Sequence, residues 1–488
     1  MDAKHQRQII IASNRGPVQF EVGPGGEVVT RRGSGGLVTA LSDTLSASGG
    51  LWIASAMTDE DRRQAAAGRV DVVSEDLKYG LRYLSFESDV YDRYYNGITN
   101  RVLWFLHHYL WDTARTPVFD LDTYRSWDAF RDVNQAFAEA LAEEGGHLGG
   151  SPAYLVQDYQ LSLVPDMLRR LNRDAAIVHF SHIPFAGPRY IRMMPEVMRL
   201  ELFEGLLGAD VLGFHSDTWA QNFLLGCRSI PGAAVDPRRR AIRWRDRTVR
   251  VGVYPIAIDA RGLKEETKRP EVRAARRALT RWREDSRVIV RVDRTDLSKN
   301  IIRGFLAFEE MIREHPEWRR RVRFLALLNP SRQDMEEYQI YTDDCVEAVQ
   351  RVNRELGAPG WQPIELFLRE DYPNTLAAYE QYDVMVVNPV YDGMNLVAKE
   401  GPALNRRGGV LILSENAGAF HELGRYALGV NPFDIHQTAE AMWRALEMGE
   451  DERVRRARGL RAAVRRNTPD RWVSAQLADL ARIRPVTD

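Results

Sequence analysis

The stretch YDVMVVNPVYDGMNLVAKE, Tyr382 to Glu400, decides the fold. Its apolar run from Val384 to Val390 shows no polar alternation, the pattern of a strand buried on both faces. Asp392 and Gly393 then turn the chain, and Asn395, Leu396 and Val397 open a helical pattern. A buried parallel strand feeding a helix is the unit of a doubly wound α/β sheet, and ligands collect in the turns at the carboxyl ends of such strands. Gly393 permits a close approach, and the first amides of the helix make an anion site. Asp392 is placed to accept sugar hydroxyls, and Glu400, about one turn further in, the two hydroxyls of a ribose. The plainer reading is an Asp-Gly turn with a solvated Glu400.

Runs of the same kind recur along the chain: RQIIIASN, SPAYLVQDY, AAIVHFSHIPF, ADVLGFHS, SRVIVRVDR, VRFLALLNP and GGVLILSEN. About half lie before residue 255 and half after 285, which predicts two doubly wound sheets rather than one very wide one. A length of 488 residues exceeds what one hydrophobic core usually serves and points the same way. The crossing is expected at VGVYPIAIDARGL, Val251 to Leu263. After about residue 435 the pattern is helical, and no repeat or low-complexity tract is seen.

Lys and Arg number 67 against 68 Asp and Glu, a formal charge of -1, so no overall excess favours nucleic acid or an acidic membrane. Any anion must be met by a local cluster. The arginine-rich runs, such as DPRRRAIRWRDR, interleave opposite charges and read as solvated faces or loops. Two distant cysteines, Cys227 and Cys345, fit neither a disulfide framework nor a metal-ligand spacing. With only a short apolar run near the N-terminus, the expectation is a soluble, cytoplasmic protein with no membrane partner.

Four further turns hold candidate chemistry. In RTDLSKN, Arg294 and Lys299 can converge in front of a strand end, as diphosphate recognition requires; pairing with a carboxylate is an equal alternative, and Asp296 can order the loop. GSGGLVTAL is a glycine loop before a helix, preceded by Arg15 at the first strand's end, but lacks the residues of a nucleotide-binding fingerprint. His182 of HFSHIPF is held extended near Pro184, and Asp158 of QDYQL can cap a helix; a satisfied structural histidine is the plainer reading. The aromatic segment Tyr91 to Asp112 reads as packed surface.

Together and in this order, SNRG, GSGGLV, YYNGITNRVLW, QDYQL, HIPF, VYPIAID, RTDLSK, DGMNLVAKE and LSENAGAFHEL resemble the trehalose-6-phosphate synthase family of retaining glycosyltransferases, over about residues 8 to 480. The resemblance implies the GT-B architecture, two Rossmann-like domains facing across a cleft. They would be an acceptor domain over 1–255, a nucleotide-sugar domain over 256–460, and a helix over 461–488 packing back on the first. It implies glucose transfer from a nucleoside diphosphate to glucose 6-phosphate without metal or cofactor. His182, Arg294, Lys299 and Asp392 would be catalytic. Arg294 and Lys299 would hold the diphosphate, with Gly36, Asn395, Leu396, Val397 and Glu400 completing the donor site. Arg15, Tyr95, Trp104, Asp158 and Arg332 would meet the acceptor. No carboxylate is placed as a nucleophile, so a front-face route is implied.

The chain departs from the family pattern at Gln157 and Gln160, where histidines are usual, at Asn300, and at Ser55, where a second tryptophan near Trp52 is expected. Acceptor identity therefore stays open to a pseudo-glycosyltransferase coupling cyclitols or a glucosylglycerol-phosphate synthase; a silent regulatory homologue is disfavoured by the intact residues. Asn388, through its side-chain carbonyl, is expected to favour guanine over uracil. Small-molecule substrates are the expected partners, and a homo-oligomer is compatible with the reading.

Overall fold

The computed structural model describes residues 7–23, 25–32, 36–73, 78–148 and 151–484; Gly33 to Gly35 of the glycine loop lie outside them. The chain divides into two compact units, 1–256 together with 469–488, and 257–468. The helix Glu450–Val464 stays with the second unit. The return to the first therefore begins with the helix Pro469–Ile483, later than residue 461.

In the second unit six parallel strands lie in the order Ile364–Leu368, Val322–Asn329, Arg287–Arg294, Val384–Val387, Val410–Ser414, Leu428–Val430. Numbered within the unit this is 3-2-1-4-5-6, so strand order reverses between Arg287–Arg294 and Val384–Val387. Connections leaving those two neighbours run to opposite sides, which opens a crevice beyond their carboxyl ends. The apolar runs are buried because helices cover them: Phe305, Phe308, Met311 and Met442 pack with Ile289, Phe324, Val384 and Ile412 in one core.

The first unit follows the same rule. Seven parallel strands, from Arg247–Val253 through Val211–Phe214, Ala176–Phe180, Ala153–Gln157, Ile9–Arg15 and Leu51–Ser55 to Lys78–Leu84, form the body of a ten-stranded sheet. The edges are antiparallel, Ala234–Asp236 and Ala241–Trp244 on one side and Arg69–Val73 on the other. Order reverses here between Ile9–Arg15 and Ala153–Gln157. The helix Pro469–Ile483 is tied to this unit by Trp472, whose indole N–H donates to the Tyr254 carbonyl at 3.1 Å. Its Asp479 accepts from Arg250 and from the Tyr254 hydroxyl, each at 2.7 Å.

Candidate active site

Both reversal points carry the residues singled out from the sequence. In the second unit the strand Arg287–Arg294 ends in an exposed Arg294 and runs into the short helical turn Leu297–Lys299. Asp296 builds that turn, its carboxylate accepting from the Ser298 amide at 2.9 Å and the Ser298 hydroxyl at 2.8 Å. Lys299 is thereby carried to the neighbouring strand's turn, where its Nζ lies 2.5 Å from Asp392 Oδ2. Asp392 Oδ2 also accepts from Asn395 Nδ2 at 3.1 Å. Asn395 adopts φ 69°, a left-handed geometry that asparagine tolerates, and its Oδ1 accepts from the Ala398 amide at 3.3 Å. Leu396 and Val397 follow as the start of the helix Val397–Leu404. Lys299, Asp392 and Asn395 thus form one chain of contacts, next to first-turn amides that have no acceptor within their helix.

The segment Ser414 to Ala419 clamps this turn from behind. Gly418 and Ala419 donate to the Asp392 and Met394 carbonyls at 3.0 and 2.9 Å, and Asn416 Nδ2 donates to the Val390 carbonyl at 2.9 Å. A side chain at Gly418 would start 1.9 Å from the Gly393 oxygen, so only glycine fits. Glu400 is half-buried rather than solvated, and it accepts from the Tyr379 hydroxyl at 3.1 Å. Burial holds its pKa above the ordinary carboxylate range.

Two residues of this site gave no sign in the sequence beyond their strand. Arg291 is fully buried beneath the loop, its guanidinium donating to Asn388 Oδ1 at 2.8 Å and to the Lys299 carbonyl, and lying 3.0 Å from Asp293. Gly304 leaves it room, since a Cβ there would stand 2.4 Å from Arg291 Nη1. Asp293 is pushed up to about 6, burial outweighing the attraction of Arg291 and Lys299. The charge alternates from Arg291 through Asp293 to Lys299 and Asp392, which holds the lysine near the strand ends.

This network corrects the expectation for Asn388. The residue is 0% exposed and its side-chain carbonyl is taken by Arg291, so it has no face with which to read a base. Arg332 belongs to this second unit, and its guanidinium reaches Asp296 and the Tyr338 hydroxyl, each at 2.7 Å. With side-chain exposures of 8% and 0%, the Arg332–Asp296 pair is buried.

In the first unit Arg15 ends its strand exposed, 3.3 Å from the Tyr95 hydroxyl. Tyr95, in the wide π-type helix Arg93–Trp104, stacks on Tyr91 of the preceding helix Ser88–Asp92, with ring centroids 5.7 Å apart. Trp104 closes that helix with 7% of its surface exposed, packed face to face on His108 at 3.9 Å. Gly36 opens the helix Gly36–Ser48 after the undescribed part of its loop. Ser55, at the position of the expected tryptophan, is fully buried and donates to Asn14.

Asp158 takes φ 72°, a conformation costly for a side chain with a Cβ and maintained where surrounding bonds fix it. Here its carboxylate accepts from the Tyr159 and His182 amides, each at 3.0 Å, so it is a cap as well as a candidate ligand. The His182 ring packs among Phe180, His215 and Trp472, and its Nε2 meets Gln157 Oε1 at 3.1 Å. Gln157 therefore takes up one ring nitrogen of His182, and burial lowers the imidazole to about 3. A neutral His182 hydrogen-bonds but carries no charge.

The profile of glycosyltransferase family 20 matches residues 7–482. The trehalose-6-phosphate synthase of Mycobacterium bovis is 36% identical over 98% of this chain and 95% of its own length. That of Mycobacterium leprae is likewise 36% identical, over 97% and 94%. Among solved structures, the UDP-forming α,α-trehalose-phosphate synthase of Burkholderia vietnamiensis superposes with TM-score 0.83 at 29% identity, covering 98% of this chain and 100% of that one. The Escherichia coli enzyme bound with UDP-2-fluoro glucose gives 0.83 at 28%, covering 97% and 99%. The Burkholderia xenovorans enzyme in complex with glucose-6-phosphate gives 0.82 at 30%, covering 97% and 99%. With a profile match across nearly its whole length and relatives of this identity, the chain belongs to glycosyltransferase family 20.

Proposed function

We propose that this chain is a retaining glycosyltransferase that moves glucose from a nucleoside diphosphate to the anomeric hydroxyl of glucose 6-phosphate, giving α,α-trehalose 6-phosphate and the nucleoside diphosphate. The observation that carries the reading is the contact chain Lys299–Asp392–Asn395 at the reversal point of the second sheet. It puts a cation, a hydroxyl acceptor and a helix start beside one another. The mycobacterial relatives and the Burkholderia and E. coli structures bear names that fit this chemistry.

On this reading Lys299 and Arg294 take the diphosphate, with the amides of Asn395 to Val397 adding the helix-start contact and Gly36 closing over the donor phosphate. Lys299 trades part of its contact with Asp392 for phosphate oxygens, which leaves Asp392 for a glucose hydroxyl. Glu400, held by Tyr379, accepts the ribose hydroxyls. His182 meets the transferred sugar as a neutral hydrogen-bonding group, and Arg15, Tyr95, Asp158 and Arg332 serve the acceptor. Trp104, packed on His108, shapes the acceptor side from behind. The departing phosphate accepts the acceptor's proton on the same face, so catalysis is positioning plus stabilisation of charge on the diphosphate.

A competition assay with glucose 6-phosphate, glycerol 3-phosphate and an aminocyclitol phosphate, each with UDP-, GDP- and ADP-glucose, tests the proposal. Preferred consumption of glucose 6-phosphate supports it. Preference for either other acceptor transfers the chain to the corresponding alternative activity.

A further inference from the structure

The second unit holds a cavity of about 380 Å³ between the turn Asn405 to Gly408 and the helix Glu450–Val464. It sits at the amino ends of the strands, since Gly408 and Gly409 lead into Val410–Ser414. The donor residues lie at the other end, beyond the carboxyl ends. Its walls carry Arg406, Arg407, Arg453 and Arg461 against one carboxylate, Glu450.

The nearby acids do not neutralise these arginines. Asp383 is shared by Arg283 at 3.0 Å, Arg287 at 3.1 Å and Arg407 at 3.2 Å. Glu380 is shared by Arg276 at 3.2 Å and Arg406 at 2.5 Å. Among the described residues Arg453 and Arg461 are bonded to backbone carbonyls only, of Arg407 at 3.5 Å and Asn405 at 3.3 Å. Five guanidiniums therefore share Glu380 and Asp383, and Arg453 and Arg461 line the same cavity with Glu450 as its one carboxylate. Crowding like charges is unfavourable unless an anion joins them. Acids in the helix's own first turn, Glu450, Asp451 and Glu452, offset its dipole, so the attraction comes from the guanidiniums.

We propose that this cavity binds a small molecule carrying two phosphate groups on a spacer. Its volume is that of a small-ligand site. Arg453 and Arg461, eight residues apart on one helix, are separated by about 12 Å along its axis, which suits two anionic groups better than one. Guanidinium forks match phosphate oxygens two at a time. The cavity also touches the chain just past the helix Val397–Leu404, whose opposite end begins beside Asn395. A bound anion there would act on the same rigid element that presents amides to the donor.

Isothermal titration with fructose 1,6-bisphosphate tests the site, with nucleoside diphosphate and glucose 6-phosphate saturating so that the donor and acceptor subsites are filled. The expected result is binding by the wild type that weakens at least about tenfold in R453Q/R461Q, the loss of a charge-assisted bidentate contact. Binding should persist in Lys299→Ala and strengthen in Glu450→Gln, a gain that misfolding does not produce. No binding by the wild type, or equal affinity in R453Q/R461Q, overturns the proposal.

Discussion

The ammonium of Lys299 and the carboxylate of Asp392 lie 2.5 Å apart although 93 residues separate them in the chain. The contact joins the carboxyl ends of the first and fourth strands of the second sheet, where their connections part. Lys299→Ala should lower turnover by about 10²- to 10³-fold, the cost of losing one preorganised charge contact, with the larger effect on donor saturation than on acceptor KM. Steady-state kinetics with each substrate varied checks the split. A change confined to the acceptor KM would contradict the assignment.

Arg332 and Asp296 form a buried pair, and removing one partner leaves the other charge uncompensated. Arg332→Ala should therefore cost about 3–5 kcal/mol of stability in urea unfolding. Arg332→Met combined with Asp296→Asn should recover more than half of that loss. Arg15→Ala, at an exposed strand end, should raise acceptor KM with little change in stability. Equal destabilisation by Arg15→Ala and Arg332→Ala would contradict this division.

The buried His107 and His179 and the half-buried His182 set an acid limit. Burial lowers His107 to about 3, His179 to about 4 and His182 to about 3. Each folded value lies below the unfolded one, so the unfolded chain binds more protons once the pH falls under about 6.5. Their contribution is fully present above that pH and is lost on acidification, at about 1.4 kcal/mol per pH unit for each group between its two values. Urea midpoints at pH 7 and pH 5 should fall steeply for the wild type and less steeply for His179→Gln. Parallel slopes would reject the shift.

Asn388 gives its side-chain carbonyl to Arg291, inside the sheet. Asn388→Ala should slow the reaction with every nucleoside diphosphate glucose alike, leaving the ratio of UDP- to GDP-glucose rates unchanged within about twofold, a margin of less than half a kcal/mol. A larger shift in that ratio would restore base reading to this residue.

Local pattern made the sheets legible. Runs such as VLIL and VMVV are apolar because helices cover both faces, and that is a property of the segment itself. The turns were legible for the same reason, since Asp-Gly before a helix start and Asp296 within RTDLSKN act over a few residues. Pairings across the sheet were not. Arg291 gave no sign of its role, because its partners Asn388 and the Lys299 carbonyl come together only when strand order brings them adjacent. The plainer reading of Glu400 as a solvated residue could not anticipate Tyr379, on another helix, whose hydroxyl donates to it. The same holds for Gln157, whose effect on His182 depends on the register of two neighbouring strands.

Product analysis tests the central claim most directly. Purified protein incubated with nucleoside diphosphate glucose and glucose 6-phosphate should release nucleoside diphosphate and one sugar phosphate whose proton NMR spectrum shows two α-anomeric signals joined in a 1,1 linkage. A β-anomeric signal from the donor glucose, or release of nucleoside diphosphate without a disaccharide phosphate, would contradict retaining transfer by this chain.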